Sequence, residues 1–318
     1  MTQYVLRRLL LMVPVAFLVS VIVFALLRLA PGDPVLVYAG EERDPESLQE
    51  LRVLYGLDRP LPFQYVVWLQ HAAQGYLGRS LRTRQPVREA IVERLPATIE
   101  LGLAAILLSV SVALAVGTIS AIKRNSVVDL LATGITLGGV SLPNFFLGLI
   151  LILVFGLAFR LLPPGGYVPF IEDPLGNLRR LILPAITLAT ASTAVNMRQI
   201  RSSLLDVFSQ EYIRTARAKG LGERPVIVRH AMKNALIPVV TIVGLQVGAI
   251  IEGAIITETI FFWPGVGRLA VDSITGLDYP VVQAIVLVSA LSFMLSTLAV
   301  DVLYAWLDPR ISYGGARS

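Results

Sequence analysis

The 318-residue sequence contains no cysteine, only two histidines and little charge. The absence of cysteine excludes disulfides, thiolate metal sites and cysteine nucleophiles. Neither His71 nor His230 has a second histidine nearby, which argues against a zinc site. Charged residues make up 15% of the chain and hydrophobic residues 55%, whereas soluble domains have about 25% charged residues. The composition therefore indicates an integral membrane protein.

The formal net charge of +5 does not indicate nucleic-acid binding. The basic residues lie between apolar stretches rather than on one soluble face. The distribution of basic residues between the apolar stretches instead predicts an orientation in a membrane.

Six apolar stretches reach the length of about 20 residues that a helix needs to cross a bilayer. They predict an all-α membrane protein with six transmembrane helices and one bundle of membrane helices. The third stretch is long enough to tilt or to break at Pro143, where Asn144 could satisfy the carbonyl that proline frees. The first is too long for a cleaved signal peptide, which makes residues 1–30 a retained anchor. The stretches are residues 9–29, 97–122, 130–159, 181–200, 236–260 and 281–306.

Lysine and arginine in the connecting segments predict the orientation. One alternating set of short loops holds four of them, and the other set holds fourteen, so the second set is expected in the cytoplasm together with both termini and the tail 311–318. Residues 31–96 then form a small extracytoplasmic segment, with short helices predicted at 45–55 and 64–74. The fourteen are Arg7, Arg8, Lys123, Arg124, Arg198, Arg201, Arg214, Arg217, Lys219, Arg224, Arg229, Lys233, Arg310 and Arg317.

Polar groups inside a predicted span are costly and are often functional. Glu252 could line a solute pathway and meet an amino terminus, or it could pair with a partner subunit. Glu258 and Asp301 lie nearer the ends of their spans, where an anchoring role is expected. Asn196 and Asn144 are further candidates for intramembrane polar sites.

The segment 199–235 is the most informative part of the core 97–310. Residues 211–219 favour a helix, Gly220 stands where a C′ glycine would end it, and Pro225 stands where a second helix would begin. The predicted structure is helix, sharp turn and helix. A short basic amphipathic helix can lie on anionic lipid or dock into a groove of a partner, or the segment can be a solvated loop. Its small residues and glycine stop favour docking.

At this loop the sequence resembles the permeases of binding-protein-dependent ABC importers, and within them the dipeptide/oligopeptide/nickel subfamily. Residues 211–221 read EYIRTARAKGL, and RHA at 229–231 and NALIP at 234–238 follow. The general motif has Glu-Ala-Ala with a glycine four residues on, whereas here Arg214, Thr215 and Ala216 precede Gly220. The missing Glu and the longer stretch to Pro238 both resemble the peptide subfamily.

The resemblance covers nearly the whole chain and is closest to the first, B-type permease of such systems. Six further motifs occur in the family's order. They are LRRLL at 6–10, LAPGDP at 29–34, GLDRPLP at 56–62, LPATIEL at 95–101, FWPGVGR at 262–268 and DVLY with LDPRI at 301–304 and 307–311.

The resemblance implies the type I ABC importer permease fold and a multi-pass inner-membrane location. It implies four kinds of partner, namely a second permease, two ABC ATPases, an extracytoplasmic binding protein and the bilayer. This chain has no phosphate loop, so ATP and Mg²⁺ are expected on the ATPases, and no enzyme activity or cofactor is expected here. The residues implied to couple to the ATPases are Glu211, Arg214, Thr215, Ala216, Arg217, Ala218, Lys219, Gly220 and Leu221.

The solute stays open among dipeptides, oligopeptides, glutathione, nickel chelates and oligosaccharides. The rival from another class is an ion-coupled secondary transporter, which often carries paired inverted repeats and midplane charge. No repeat is visible, and midplane charge is nearly confined to Glu252. An intramembrane enzyme is a further rival, but the chain offers few residues for a catalytic constellation.

Overall fold

The computed structural model describes residues 2–29, 44, 49, 52–53 and 58–307. Within these residues the fold is helical, and extended backbone pairs only in a single bridge between Arg79 and Pro86. The predicted helix 45–55 falls mostly outside the described residues, as does the tail 311–318. The predicted all-α membrane class is confirmed for the described chain.

The described residues of the first half of the chain include five helices of eight residues or more. The helix predicted at 64–74 is present and starts three residues earlier, because Pro60 and Pro62 fit a helix N-terminus. The bounds are α1 Thr2–Leu29, α2 Leu61–Ala73, α3 Val87–Ile122, α4 Val127–Ser141 and α5 Asn144–Leu151, which continues as a π-helical turn over Ile152–Ala158.

The second half begins with the long helix α6 and the short helix α7, and three short helical pieces follow over residues 223–235. Four further helices follow within the described residues. The bounds are α6 Pro174–Phe208, α7 Glu211–Ala218, α8 Ile237–Gly248, α9 Ile250–Ile260, α10 Val266–Thr275 and α11 Tyr279–Leu307.

Each of the six apolar stretches is helical, but only four helices of the described chain, α1, α3, α6 and α11, are long and apolar enough to cross a membrane unbroken. The third stretch breaks at Leu142 and Pro143, as predicted, and α4 and α5 lie on either side. The fifth is also divided, since α8 ends and α9 begins at Ala249, and α8 is bent by 52° from the pieces before it. No proline lies at this second break, so the sequence did not predict it.

Two apolar clusters hold the ends of the bundle. The end that carries residues 123–126 and 209–235 is called the inner end, and the opposite one the outer end. The inner cluster joins α3, α6 and α8 to the segment 209–235, so that this segment is part of the core rather than a loop in solvent. Its fully buried members are Ala113, Ile200, Leu204, Ile213, Val226 and Ala231.

The outer cluster packs α3, α9, α10 and α11 around Val87, Val266 and Val281. The carboxylate of Asp278 accepts hydrogen bonds from the Ser80 hydroxyl and from the Leu81 amide, the latter at 2.9 Å. Asp278 is buried, so these bonds replace its lost hydration. They fix residues 76–86 on the outer end of the bundle.

Candidate functional site

Helix α7, at the inner end, has one face in the core and one outside. Ile213 is fully buried and Ala216 is 7% exposed, and both belong to the inner cluster with Ile200 and Leu204 of α6. Ile213 and Ala216 thus fasten α7 to its own chain, whereas Ala218 is exposed. Ala216, which the resemblance implied to contact the ATPases, therefore lies on the inward face of the helix.

The outward face is a stripe of four residues spaced i, i+3, i+4 and i+7, which lie on one side of a helix. They are Glu211, Arg214, Thr215 and Ala218, and all are exposed. Arg214 Nη1 lies 2.9 Å from Glu211 Oε1, and the Thr215 hydroxyl donates to the Glu211 carbonyl at 3.0 Å. The stripe therefore has paired charges at its Glu211 end and a small, uncharged side chain at its Ala218 end.

The C-terminus of α7 is closed by a Schellman motif. The Leu221 amide donates to the Ala216 carbonyl at 3.4 Å, and the Gly220 amide donates to the Arg217 carbonyl at 2.9 Å. Gly220 has φ +78°, a conformation that glycine adopts without steric cost. The predicted helix stop is therefore present, with Lys219 and Leu221 exposed beside it.

Two polar contacts hold the return segment against α7. Arg217 Nε and Nη2 donate to the two carboxylate oxygens of Glu223 at 2.9 and 3.1 Å, and Asn234 Nδ2 donates to Tyr212 Oη at 2.8 Å. Arg217 therefore pairs within the chain rather than projecting freely. The second helix, which Pro225 was predicted to begin, is present but starts with a π-helical turn over Val226–Ala231, on which His230 is half-buried.

An ion pair that the sequence reasoning missed lies beside the inner cluster. Arg201 on α6 donates to both carboxylate oxygens of Asp129 on α4 at 2.7 Å. Asp129 is almost fully buried and also accepts from the Ser120 hydroxyl and the Asn125 amide. The pair joins the α3–α4 turn to the helix that supports α7.

The predicted intramembrane polar residues separate into three environments. Asn196 is fully buried and exchanges hydrogen bonds with the Gln246 side-chain amide at 3.1 and 3.2 Å, while it donates to Ser109 at 3.0 Å. Glu252 is exposed on α9. Asn144 is half-exposed at the start of α5, and its side chain makes no hydrogen bond to the described part of the chain.

Glu258 is fully buried and caps α10 through the amide of Arg268, 10 residues further along. Its carboxylate accepts from the Arg268 amide at 2.9 Å and from the Thr98 hydroxyl at 2.7 Å. A carboxylate is stabilised at a helix N-terminus, where amide groups lack partners inside the helix. Asp301 pairs instead with Arg8 of α1 at 2.9 Å, near the end of its helix.

Trp263 closes the outer end beside this cap. It is fully buried, and its indole N–H donates to the Ala97 carbonyl at 2.8 Å. The ring of Tyr167 lies 4.7 Å away in an edge-on arrangement, and its hydroxyl donates to Glu100 at 3.2 Å. Burial and the neighbouring Glu100 carboxylate raise the pKa of Tyr167, which keeps the phenol protonated. The FWPGVGR and LPATIEL motifs are therefore in direct contact.

The fold and the inner helix together define a class: a helical membrane protein that carries an exposed helix–turn–helix at one end of its bundle. Family models agree with this class. Residues 113–313 match the model described as binding-protein-dependent transport system inner membrane component, and residues 1–102 match its N-terminal counterpart. The chain belongs to the family of inner membrane components of binding-protein-dependent transport systems.

Relatives of nearly equal length support the membership. The chain is 42% identical to the dipeptide transport system permease protein DppB of Escherichia coli K12, over 98% of this chain and 99% of that protein. It is 43% identical to the di/tripeptide permease DppB of Pseudomonas aeruginosa UCBPP-PA14, with the same two coverages. It is also 42% identical to the glutathione permease GsiC of E. coli K12, over 98% of this chain and 100% of that protein.

A solved structure supports the fold alone. The inward-facing MetNI methionine ABC transporter aligns with a TM-score of 0.57 at 14% identity, over 70% of this chain and 98% of the matched one. The predicted type I importer permease fold is confirmed by this match.

Proposed function

We propose that this chain forms half of the translocation pathway of an ATP-driven importer for dipeptides, oligopeptides or similar small solutes such as glutathione. The observation that carries the proposal is helix α7, fixed to the core on one face and exposed on the other, in a chain of this family. The named relatives transport dipeptides, tripeptides and glutathione, and their similarity supports the solute class.

The outward stripe of α7 docks into a groove of an ABC ATPase. Its small end at Ala218 lets the partner surface approach closely, and its paired charges at Glu211 and Arg214 set the register. Because Ile213 and Ala216 pack on Ile200 and Leu204, a displacement of α7 moves α6 with it. At 1.5 Å per residue, the 35 residues of α6 extend about 52 Å, enough to carry the displacement across the bilayer.

The partners follow from this arrangement. A second permease, homologous or identical, completes the pathway, two ATPases bind ATP and Mg²⁺ beneath the inner end, and a binding protein delivers solute at the outer end. The inner end and both termini face the cytoplasm of a cell with this chain in its inner membrane. The excess of lysine and arginine in the inner segments supports this orientation.

Glu252 is the pathway residue in this proposal. It lies on the exposed face of α9 with Gly253 and Ile256, a face that the bundle leaves uncovered. A carboxylate there attracts the amino terminus of a peptide. Asn196 is fully buried, so its role is to hold α3, α6 and α8 together rather than to meet the solute. Asn144 marks the break between α4 and α5.

The test compares Ala218→Glu with Ala218→Ser after mild detergent extraction. The wild type and the serine variant are expected to co-purify with a second permease and an ATPase pair that hydrolyses ATP in a vanadate-sensitive manner. The glutamate adds bulk and charge on the docking face but disturbs no core contact. It should leave membrane insertion unchanged and remove the ATPases or their stimulation.

The glutamate variant supplies the decisive outcome. If it retains the ATPases and their stimulation at the wild-type level, the outward stripe of α7 is not the docking face. If the wild type purifies alone and transports solute under an ion gradient, the rival secondary transporter is correct.

A further inference from the structure

Helix α2 packs beside the C-terminal half of α1 rather than beyond its end. Tyr65 Oη and Ser20 Oγ are 2.8 Å apart, and Ser20 in turn donates to the Phe17 carbonyl at 2.7 Å. The ring of Phe24 lies 5.5 Å from that of Tyr65 and 5.9 Å from that of Trp68. Helix α2 therefore lies beside residues 17–24 of α1, and these residues fix its position along the axis of α1.

That level is well inside the apolar part of α1. The first charged residue at its outer end is Arg28, eight residues beyond Ser20. At 1.5 Å per residue this separation is about 12 Å along the helix axis. Tyr65 also pairs its hydroxyl with Ser20, which is buried, rather than directing it to water. Such pairing is what a polar group needs in a hydrocarbon environment.

The composition of α2 suits the same environment. Residues 61–78 contain no aspartate, glutamate, lysine or arginine. Leu61, Phe63 and Val66 are between 46% and 56% exposed. Leu18 of α1 is likewise 58% exposed. At the N-terminal end, the Arg59 guanidinium stacks over the Phe63 ring at 4.6 Å, an arrangement suited to an interface.

We propose that α2 lies in the leaflet at the outer end, with Leu61, Phe63 and Val66 against lipid acyl chains. Helices of this kind sit roughly 5–10 Å into the boundary between headgroups and chains. The extracytoplasmic segment is then tied to the membrane by α2 on one side and to the bundle by Asp278 on the other. The inference rests on α1 crossing the bilayer and does not depend on the docking of α7.

The absence of cysteine from this chain means that a single-cysteine variant has one labelling site in the chain. A nitroxide label is placed at Val66→Cys, in the transporter assembled with its partner subunits in phospholipid vesicles. Leu18→Cys on α1 is the control for a lipid-facing position. Glu172→Cys, exposed between α5 and α6, is the control for a position in water. The measurement is collision of the label with oxygen, which concentrates in the bilayer, and with a water-soluble nickel chelate.

The ratio of oxygen to nickel accessibility at Val66 should match that at Leu18 and exceed that at Glu172 several-fold. A ratio equal to that at Glu172 would place α2 in water and overturn the proposal. Low accessibility to both reagents, with an immobile label, would overturn it as well, since a partner subunit would then cover this face. Repeating the measurement at Phe63→Cys guards against a local effect of one label.

Discussion

The buried carboxylate of Glu258 depends on a glycine that leaves room for it. A Cβ added to Gly265 would lie 2.1 Å from Glu258 Oε1. The backbone of Gly265 is extended, so its requirement for glycine is steric and not conformational. The buried position of the Glu258 carboxylate therefore requires a residue without a side chain at position 265.

Gly265→Ala is expected to displace the Glu258 carboxylate from the Arg268 amide and the Thr98 hydroxyl. Leaving buried polar groups without partners costs about 1–3 kcal/mol. The unfolding midpoint in detergent should fall accordingly. Gly253→Ala is the control, because its added Cβ would meet Leu188 at an ordinary 3.8 Å. Equal midpoints for the two variants would contradict the cap.

The Asp129–Arg201 pair gives a second prediction for single residues. Arg201→Met leaves the Asp129 carboxylate buried without its counter-ion, and breaking such a pair costs about 3–5 kcal/mol. Adding Asp129→Asn removes the stranded charge, so the double variant should unfold at a higher temperature than Arg201→Met alone. Thermal unfolding of the four proteins of the cycle measures the coupling. Additive effects would mean that the two groups do not stabilise each other.

Single residues were the hardest to predict from the sequence. Glu258 was expected to anchor near an interface, but its partner Thr98 is 160 positions away and no local pattern links them. Asp129 follows Ser126 at the spacing of a helix-capping pair, a signal that could have been noticed. The pairing of Asp129 with Arg201 depends on how α4 packs against α6, so it could not have been predicted from the sequence.

Among the helices, the end of α7 and the start of the segment after it are set by local residues and could be predicted from the sequence. Gly220 ends it and Pro225 begins the return, and both positions were predicted. The helix break at Pro143 was predicted for the same reason. The break at Ala249 was not predicted, because that position holds neither proline nor glycine. The inward and outward faces of α7 also needed the structure, since Ile213 and Ala218 are both apolar.

Gly220→Ala is expected to strain the turn after α7, since φ +78° suits glycine, and the penalty is about 1 kcal/mol. The direction of the return segment should change, and the stimulation of ATP hydrolysis by solute should fall. Gly222→Ala is the matched control, because Gly222 has φ −64° and its added Cβ would meet Pro225 at 3.9 Å. Steady-state ATPase assays on the assembled complex compare the two. Equal stimulation would show that the turn does not position α7.

For the whole chain, hydropathy predicted the membrane class and all six helical stretches. This success has a physical reason, because a lipid environment leaves the backbone few alternatives to a helix. The faces that meet a partner or a solute could not be predicted, since uncovered surfaces such as that of α9 look like lipid-facing surfaces in sequence. Their assignment depends on a second chain.

The central claim is that this chain forms a pathway driven by ATP hydrolysis on partner subunits. The most direct test is uptake of a labelled dipeptide into vesicles that contain this chain, its partner permease and the ATPase pair, with the binding protein outside. Uptake is expected only with ATP inside and the binding protein present, and vanadate or Ala218→Glu should abolish it. Uptake by this chain alone under an ion gradient, without ATP, would contradict the account.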